Sequence, residues 1–141
     1  MRRLLDSSQS TAVLLAALVF GGLCRADSGK PFESELARLA GRSARQCGLV
    51  GLHGDPKPGL ACAVQADKDG MPFWYALEQR GEDSQVWIAA IRTPEGGHLV
   101  LHYDSNVSGG RGLKPHFEEI RCAGPIDYRP TAWPPIECRK P

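Results

Sequence analysis

The sequence predicts an α+β fold in which two short N-terminal helices pack on one face of a four-stranded antiparallel sheet. Three observations predict it. Apolar residues recur at helical spacing before residue 70, strand patterns begin after Met71-Pro72, and four cysteines follow an apolar N-terminal stretch. Four cysteines are enough for two disulfides, and a Pro-rich C-terminal tail completes the expected architecture.

The first helix is predicted from apolar residues at helical spacing: Phe32, Leu36, Leu39, Ala40 and Cys47. Gly48 is placed to end it. Residues 51–59 form a loop by composition, because they are rich in glycine and proline. The Ala-rich segment 60–69 then predicts a second helix that ends near Gly70.

Strands are predicted over residues 73–80, 85–93 and 98–103, where aromatic and β-branched residues are frequent. The separating segments 81–84 and 94–97 have the composition of turns. Residues 116–122 can form a fourth strand. Residues 123–141 contain five prolines, which predict an extended tail.

Residues 1–26 have the three parts of a secretory signal peptide. Arg2 and Arg3 give a basic start, and the apolar run 11–23 is too short for a stable membrane anchor. Small residues predict cleavage after Ala26. The alternative is lipidation of Cys24, but Leu23 is bulkier than that processing prefers.

Cleavage leaves residues 27–141 as one small domain. The formal net charge of +1 for the whole chain becomes −1, because the leader carries three basic residues and one acidic residue. A balanced charge argues against binding to nucleic acid or to a membrane surface. We therefore expect an exported protein, periplasmic or extracellular.

The four remaining cysteines allow three connectivities. Sequential pairing, Cys47 with Cys62 and Cys122 with Cys138, is preferred because each pair brackets a short segment that contains proline or glycine. Under this pairing the first bridge holds the helices together, and the second fastens the tail.

The predicted register sets Leu77 beside Ile88 and Tyr103, so side chains alternate between two faces. One face becomes the core under the helices: Phe73, Tyr75, Leu77, Val86, Ile88, Ala90, Leu99, Leu101 and Tyr103. The opposite face is unusually apolar for an uncovered sheet. Its predicted partner-binding residues are Trp74, Trp87, Ile91, His98 and His102. Alternatively, the tail with Trp133 and Ile136 covers this face within the same chain.

The candidates for acid–base catalysis are Glu78, His102 and His116, residue types that small secreted ribonucleases combine. Arg92 is predicted on the other face, so this chemistry does not converge. No nucleophile or phosphate-loop motif is present. His98 and His102 stand roughly 13 Å apart on one strand, so no metal site and no cofactor are expected.

The order of elements between about residues 31 and 122 resembles the helix–loop–helix plus sheet unit of β-lactamase-inhibitor proteins and of small outer-membrane assembly lipoproteins. This resemblance is architectural. It implies a binding or inhibitory module that engages a protein partner. The alternatives are a small secreted hydrolase of the ribonuclease type and a purely structural exported domain.

Overall fold

The protein is seen in a computed structural model that describes residues 31–107 and 115–141. The predicted leader, with Cys24, lies outside these residues. The elements within them are α1 (Pro31–Ala40), β1 (Arg45–Val50), α2 (Lys57–Lys68), β2 (Phe73–Gln79), β3 (Val86–Arg92), β4 (His98–Asp104), β5 (His116–Arg121), β6 (Asp127–Tyr128) and β7 (Ile136–Glu137).

The α+β class is confirmed, but the main sheet has five strands in the order β1-β2-β3-β4-β5 and is mixed. β1 runs parallel to β2, and the other neighbouring pairs are antiparallel. The short strands β6 and β7 form a separate antiparallel pair in the tail. The prediction of a four-stranded antiparallel sheet therefore missed β1, which is parallel to its neighbour β2.

The missing strand comes from the segment that was predicted to continue the first helix. α1 ends at Ala40, and Gly41 follows with a φ of 82°, a conformation that glycine adopts without strain. The Gly41 N–H donates a hydrogen bond of 3.0 Å to the Ala37 carbonyl, which closes the last turn. Residues 45–50 are then free to pair with β2.

The two helices cover opposite faces of the sheet, whereas the sequence predicted both on one face. Two parallel strands need a crossover connection, and α2 supplies it between β1 and β2. α2 therefore lies on one face, and α1 covers the other.

The core accordingly has two layers, which we call the α1 face and the α2 face. The α1 face packs Phe32, Leu36 and Ala40 on Trp74, Ala76, Ala89, Ile91, Leu99, Leu101 and Tyr103. The α2 face packs Ala63, Ala66, Ile126 and Ile136 on Cys47, Phe73, Tyr75, Leu77, Ile88, Ala90 and Val100.

The predicted β2–β3 register is confirmed, since Leu77 lies opposite Ile88. The β3–β4 register is one residue away from the prediction, because Ile88 lies opposite His102 instead of Tyr103. A shift of one residue exchanges the faces of every side chain in a strand. The apolar residues Leu99, Leu101 and Tyr103 therefore join the α1 face, and the histidines of β4 join the α2 face.

Both predicted disulfides are confirmed, with Cα–Cα distances of 5.4 Å for Cys47–Cys62 and 5.5 Å for Cys122–Cys138. The first joins β1 to α2, so it does not join two helices. α2 begins at Lys57, earlier than predicted, because a proline is tolerated in the first turn of a helix. The second disulfide fastens the tail.

Candidate functional site

The predicted partner-binding tryptophans lie under α1. Trp74 is 8% exposed and Ile91 is fully buried. Trp87 is half-buried, and its ring stacks on Phe32 with centroids 5.6 Å apart. The apolar character that predicted a binding surface is therefore used for packing α1 against the sheet.

The two histidines assigned to the same patch lie on the α2 face. The structure thus divides the five predicted residues between opposite sides of the sheet, with Trp74, Trp87 and Ile91 on one side. The tail covers part of the α2 face through Ile126 and Ile136, and Trp133 covers neither face.

The catalytic candidates are also divided. Glu78 lies on the α1 side of β2, opposite Trp87 of β3, and accepts hydrogen bonds from the Leu52 N–H at 3.2 Å and from Gln85 Nε2 at 3.4 Å. His102 and His116 share the α2 face as diagonal neighbours across the β4–β5 pair. The two histidines are brought together, and the carboxylate is not.

His102 is half-buried opposite Glu118. Burial lowers the pKa of His102, the carboxylate of Glu118 opposes this effect, and the ammonium of Lys140 in the tail adds to it. The neutral imidazole is therefore favoured over the charged form. This histidine is coupled to the position of the tail, because part of its environment comes from Lys140.

A charged cluster that the sequence did not predict joins the end of α2 to the β3–β4 turn. Asp67 Oδ1 accepts hydrogen bonds from Arg92 Nη1 at 2.9 Å and from His98 Nε2 at 2.7 Å. Arg92 Nη1 and His98 Nε2 are 3.4 Å apart. The three side chains are between 15% and 24% exposed, so all of them reach solvent.

Two further donors near this cluster are buried without a hydrogen-bond partner among the described residues: Arg92 Nε and the Tyr128 hydroxyl. Burial raises the pKa of Tyr128 strongly, and the charge of Asp67 adds to the rise. The feature of the sequence that could have indicated this cluster is the position of Arg92 and His98 on either side of the predicted turn 94–97. Only the correct register makes them direct partners.

Trp133 has the most exposed large apolar side chain in the described part of the chain, at 74%, and Leu52 is 48% exposed. The loop that carries Trp133 and the loop that carries Leu52 border one cleft of about 300 Å³. Its lining residues are Val50, Gly51, Leu52, Gly54, Pro56, Leu77, Glu78, Gln79, Pro130, Ala132 and Pro135. We call Leu52, Trp133 and this cleft the Trp133 surface.

In residues 31–107 and 115–141, no group of three or more histidine, cysteine, aspartate or glutamate side chains is arranged to hold a metal ion. Neither helix in these residues is long and apolar enough to cross a membrane. No protein family matches the chain, no curated protein is significantly similar to it, and no solved structure matches it significantly.

Proposed function

We propose that this chain is an exported binding or inhibitory module that engages a protein partner through the Trp133 surface. The observation that carries the proposal is the exposure of Trp133, which is 74% accessible on a Pro-rich loop. Tryptophans are enriched among the residues that dominate binding energy at interfaces. The predicted partner-binding function is therefore kept, and its surface moves from the sheet face to this loop.

The chemistry of the cleft indicates what the partner presents. The exposed lining of the cleft is more polar than apolar, and Glu78 supplies a carboxylate, whereas no lysine or arginine is among its described lining residues. Glu78 already accepts two hydrogen bonds from neutral donors, but a carboxylate can accept about four. A lysine or arginine side chain fits this cleft, because its charged end can pair with the carboxylate of Glu78 and its N–H groups can donate to the polar walls.

Trp133 adds a second reason for a basic partner residue. The indole ring attracts a cation placed over its face, by about 0.5–1 kcal/mol at exposed sites and by more when water is excluded. Ala132 and Pro135 line the cleft on either side of Trp133 in sequence, although Trp133 itself is not one of its lining residues. We propose that the partner contacts both the ring and Glu78.

Export is supported by the two disulfides, which form and persist in oxidising compartments. It also rests on the predicted leader. Intact mass measurement of the protein recovered from the periplasm or medium of an expression host tests this part of the proposal. The expected product begins at Asp27, and a lipidated product that begins at Cys24 would contradict the cleavage prediction.

The binding proposal is tested with a random peptide library displayed on phage and selected on the purified domain. We expect enrichment of peptides that contain lysine or arginine beside apolar residues. Trp133→Ala should weaken the selected peptides by about tenfold or more. Glu78→Gln should weaken them as well, because it removes the charge and retains an oxygen for the Leu52 N–H.

Matched controls are Met71→Ala and Glu82→Gln. Met71 is an exposed apolar residue that does not line the cleft, and Glu82 is an exposed acidic residue of the β2–β3 turn. Both should bind the selected peptides as the wild type does. If no sequence is enriched, or if Trp133→Ala binds unchanged, the proposed surface is wrong.

We propose no hydrolytic reaction for Glu78, His102 and His116, because Glu78 lies across the sheet from the two histidines. In the described residues, the carboxylate of Glu78 and the two imidazoles lie on opposite faces of the sheet, so they cannot act together on one substrate. The alternative of a purely structural domain predicts that Trp133→Ala has no effect on any binding, so the same experiment distinguishes it.

A further inference from the structure

The guanidinium group of Arg92 is held at one end and open at the other. Nη1 donates to Asp67, and Nε is buried. Nη2 makes no hydrogen bond to any described residue and, unlike Nε, is not buried. An arginine that is fixed in this way keeps two N–H donors available for a ligand.

Two glycines border the approach to Nη2. A Cβ on Gly96 would stand 3.4 Å from Nη2, and a Cβ on Gly70 would stand 4.0 Å from it. Both glycines have a positive φ, 87° for Gly96 and 68° for Gly70. Because neither carries a side chain, the outer edge of the guanidinium stays uncovered between the β3–β4 turn and the end of α2.

His98 is oriented by the same carboxylate. Its Nε2 lies 2.7 Å from Asp67 Oδ1, and a carboxylate only accepts, so Nε2 carries a hydrogen. The other ring nitrogen, Nδ1, makes no hydrogen bond to a described residue. In the neutral ring Nδ1 accepts a hydrogen bond, and in the protonated ring it donates one.

We infer that Arg92 Nη2 and His98 Nδ1 form a binding site for a phosphate group. The contact between Nη1 and Nε2 is 3.4 Å, and each free nitrogen lies two bonds beyond the contacting one. In the proposed site one phosphate group bridges them. Near neutral pH a phosphate offers both a charged oxygen for Nη2 and an O–H for Nδ1. A carboxylate ion has no O–H to donate to Nδ1, so phosphate is the better match.

Asp67 acts as the positioning residue of this site. Its Oδ1 accepts from Arg92 Nη1 and from His98 Nε2, and this leaves Nη2 and Nδ1 for the ligand. The site lies at the end of the sheet where β3 ends and β4 begins, whereas Glu78 and the Trp133 surface lie where β2 ends. The inference is therefore independent of the proposed function.

The test is titration of the purified, isotope-labelled domain with inorganic phosphate at constant ionic strength, followed by NMR signals of the His98 ring and the Arg92 side chain. We expect saturable shifts at both residues. His98→Gln and Arg92→Gln should each weaken binding by about tenfold or more, because each removes a hydrogen bond to a charged ligand. Arg80→Gln, the same charge change at an exposed site, is the control.

Arg92→Lys keeps the experiment decisive if the glutamine variant folds poorly. A lysine can still pair with Asp67, but it has no second terminal nitrogen for the ligand. We expect its spectrum to be folded and its phosphate binding to be weakened. Unchanged binding by Arg92→Lys or by His98→Gln would overturn the site.

Two further ligands define the chemistry. Phenyl phosphate that binds more tightly than inorganic phosphate would support a site for a phosphate ester, and the reverse order would support a site for free phosphate. Acetate should produce weaker shifts than either. Equal, non-saturating shifts with phosphate, acetate and chloride would overturn the proposal, since they would show only a general ionic effect.

Discussion

Gly59 of α2 lies directly against the ring of Tyr75 in β2. A Cβ on Gly59 would stand 2.5 Å from Tyr75 Cε2 and 2.9 Å from the Cys47 carbonyl oxygen. The hydroxyl of Tyr75 also donates a hydrogen bond of 3.1 Å to the carbonyl of Pro56, which directly precedes α2. The absence of a side chain at Gly59 therefore sets how closely α2 approaches the sheet.

The first prediction is that Gly59→Ala destabilises the protein, although alanine is the better helix former. Propensity alone favours alanine by about 1 kcal/mol, but overpacking a core costs about 1–3 kcal/mol. We expect a net loss of up to about 2 kcal/mol in the free energy of unfolding, measured by urea denaturation. Gly124→Ala is the control, because nothing lies within 4 Å of a Cβ there. A stabilised Gly59→Ala protein would contradict the packing.

The second prediction concerns the cover of the α1 face. Phe32 is 5% exposed and stacks on Trp87 at 5.6 Å and on Tyr103 at 5.2 Å. Truncation of a buried phenylalanine costs about 3–5 kcal/mol, so Phe32→Ala should lower the free energy of unfolding by roughly that amount. The tryptophan fluorescence should shift to longer wavelength, because Trp87 becomes more exposed.

Ser34→Ala on the exposed side of α1 is the matched control, and it should change stability by no more than about 0.5 kcal/mol. If Phe32→Ala retained the stability and fluorescence of the wild type, α1 would not be packed on the tryptophans. The sheet face would then be available as the binding surface that the sequence predicted.

The third prediction concerns His102 and pH. An unfolded histidine titrates near about pH 6.5, and burial holds the pKa of folded His102 below that value. The unfolded chain therefore binds the proton more readily. The contribution of His102 to stability is complete above about pH 6.5 and is lost as the pH falls through the folded pKa. Urea denaturation from about pH 8 to about pH 5 should show this decline.

Two neighbouring substitutions should change the pH dependence in opposite directions. Glu118→Gln removes a carboxylate that favours the charged ring, so it should lower the pKa of His102 further. The loss of stability on acidification should then continue to lower pH. Lys140→Ala removes a repelling cation, so it should raise the pKa of His102 and reduce the loss of stability on acidification. NMR titration of the ring measures both. The same pKa in all three proteins would contradict the placement of Lys140 near His102.

The parts of the fold that the sequence predicted correctly are those with local signals. The strand patterns of β2, β3 and β4 and the turn between β2 and β3 predicted the pairing of Leu77 with Ile88. Sequential cysteine pairing followed from short bracketed segments and is confirmed. β1 was missed because Cys47 also continues the helical spacing of α1. Only its parallel pairing with β2, a contact distant in sequence, makes it a strand.

The candidate site depended on register, which the sequence fixes poorly where both faces of a strand are apolar. Both alternating sets of positions in His98–Asp104 contain apolar residues, so the sequence pattern does not decide which face of the sheet His98 occupies. In the structure Arg92 lies opposite His98, and Asp67 reaches both from α2. The exposure of Trp133 was equally beyond pattern analysis, because the tail contains other apolar residues that do pack against the sheet.

The fourth prediction links the second disulfide to His102. Cys122–Cys138 fastens the tail segment that carries Ile136 and Lys140 over the α2 face. Replacing both cysteines with serine should cost roughly 3 kcal/mol in the chain-entropy model. It should also raise the pKa of His102 towards its ordinary value, because a loosened tail no longer buries the ring or holds the ammonium nearby.

The matched control is removal of Cys47–Cys62, which closes a loop of similar length, with sequence separation 15 against 16. It should cost a similar roughly 3 kcal/mol, because the loop-closure entropy is nearly the same. It should leave the pKa of His102 unchanged, since Cys47 lies in β1, at the opposite edge of the sheet from β5, and the tail stays fastened by Cys122–Cys138. Urea denaturation and NMR titration of the two double variants separate the effects. If both variants shifted the pKa of His102 equally, general loosening of the fold, and not the tail, would control that histidine.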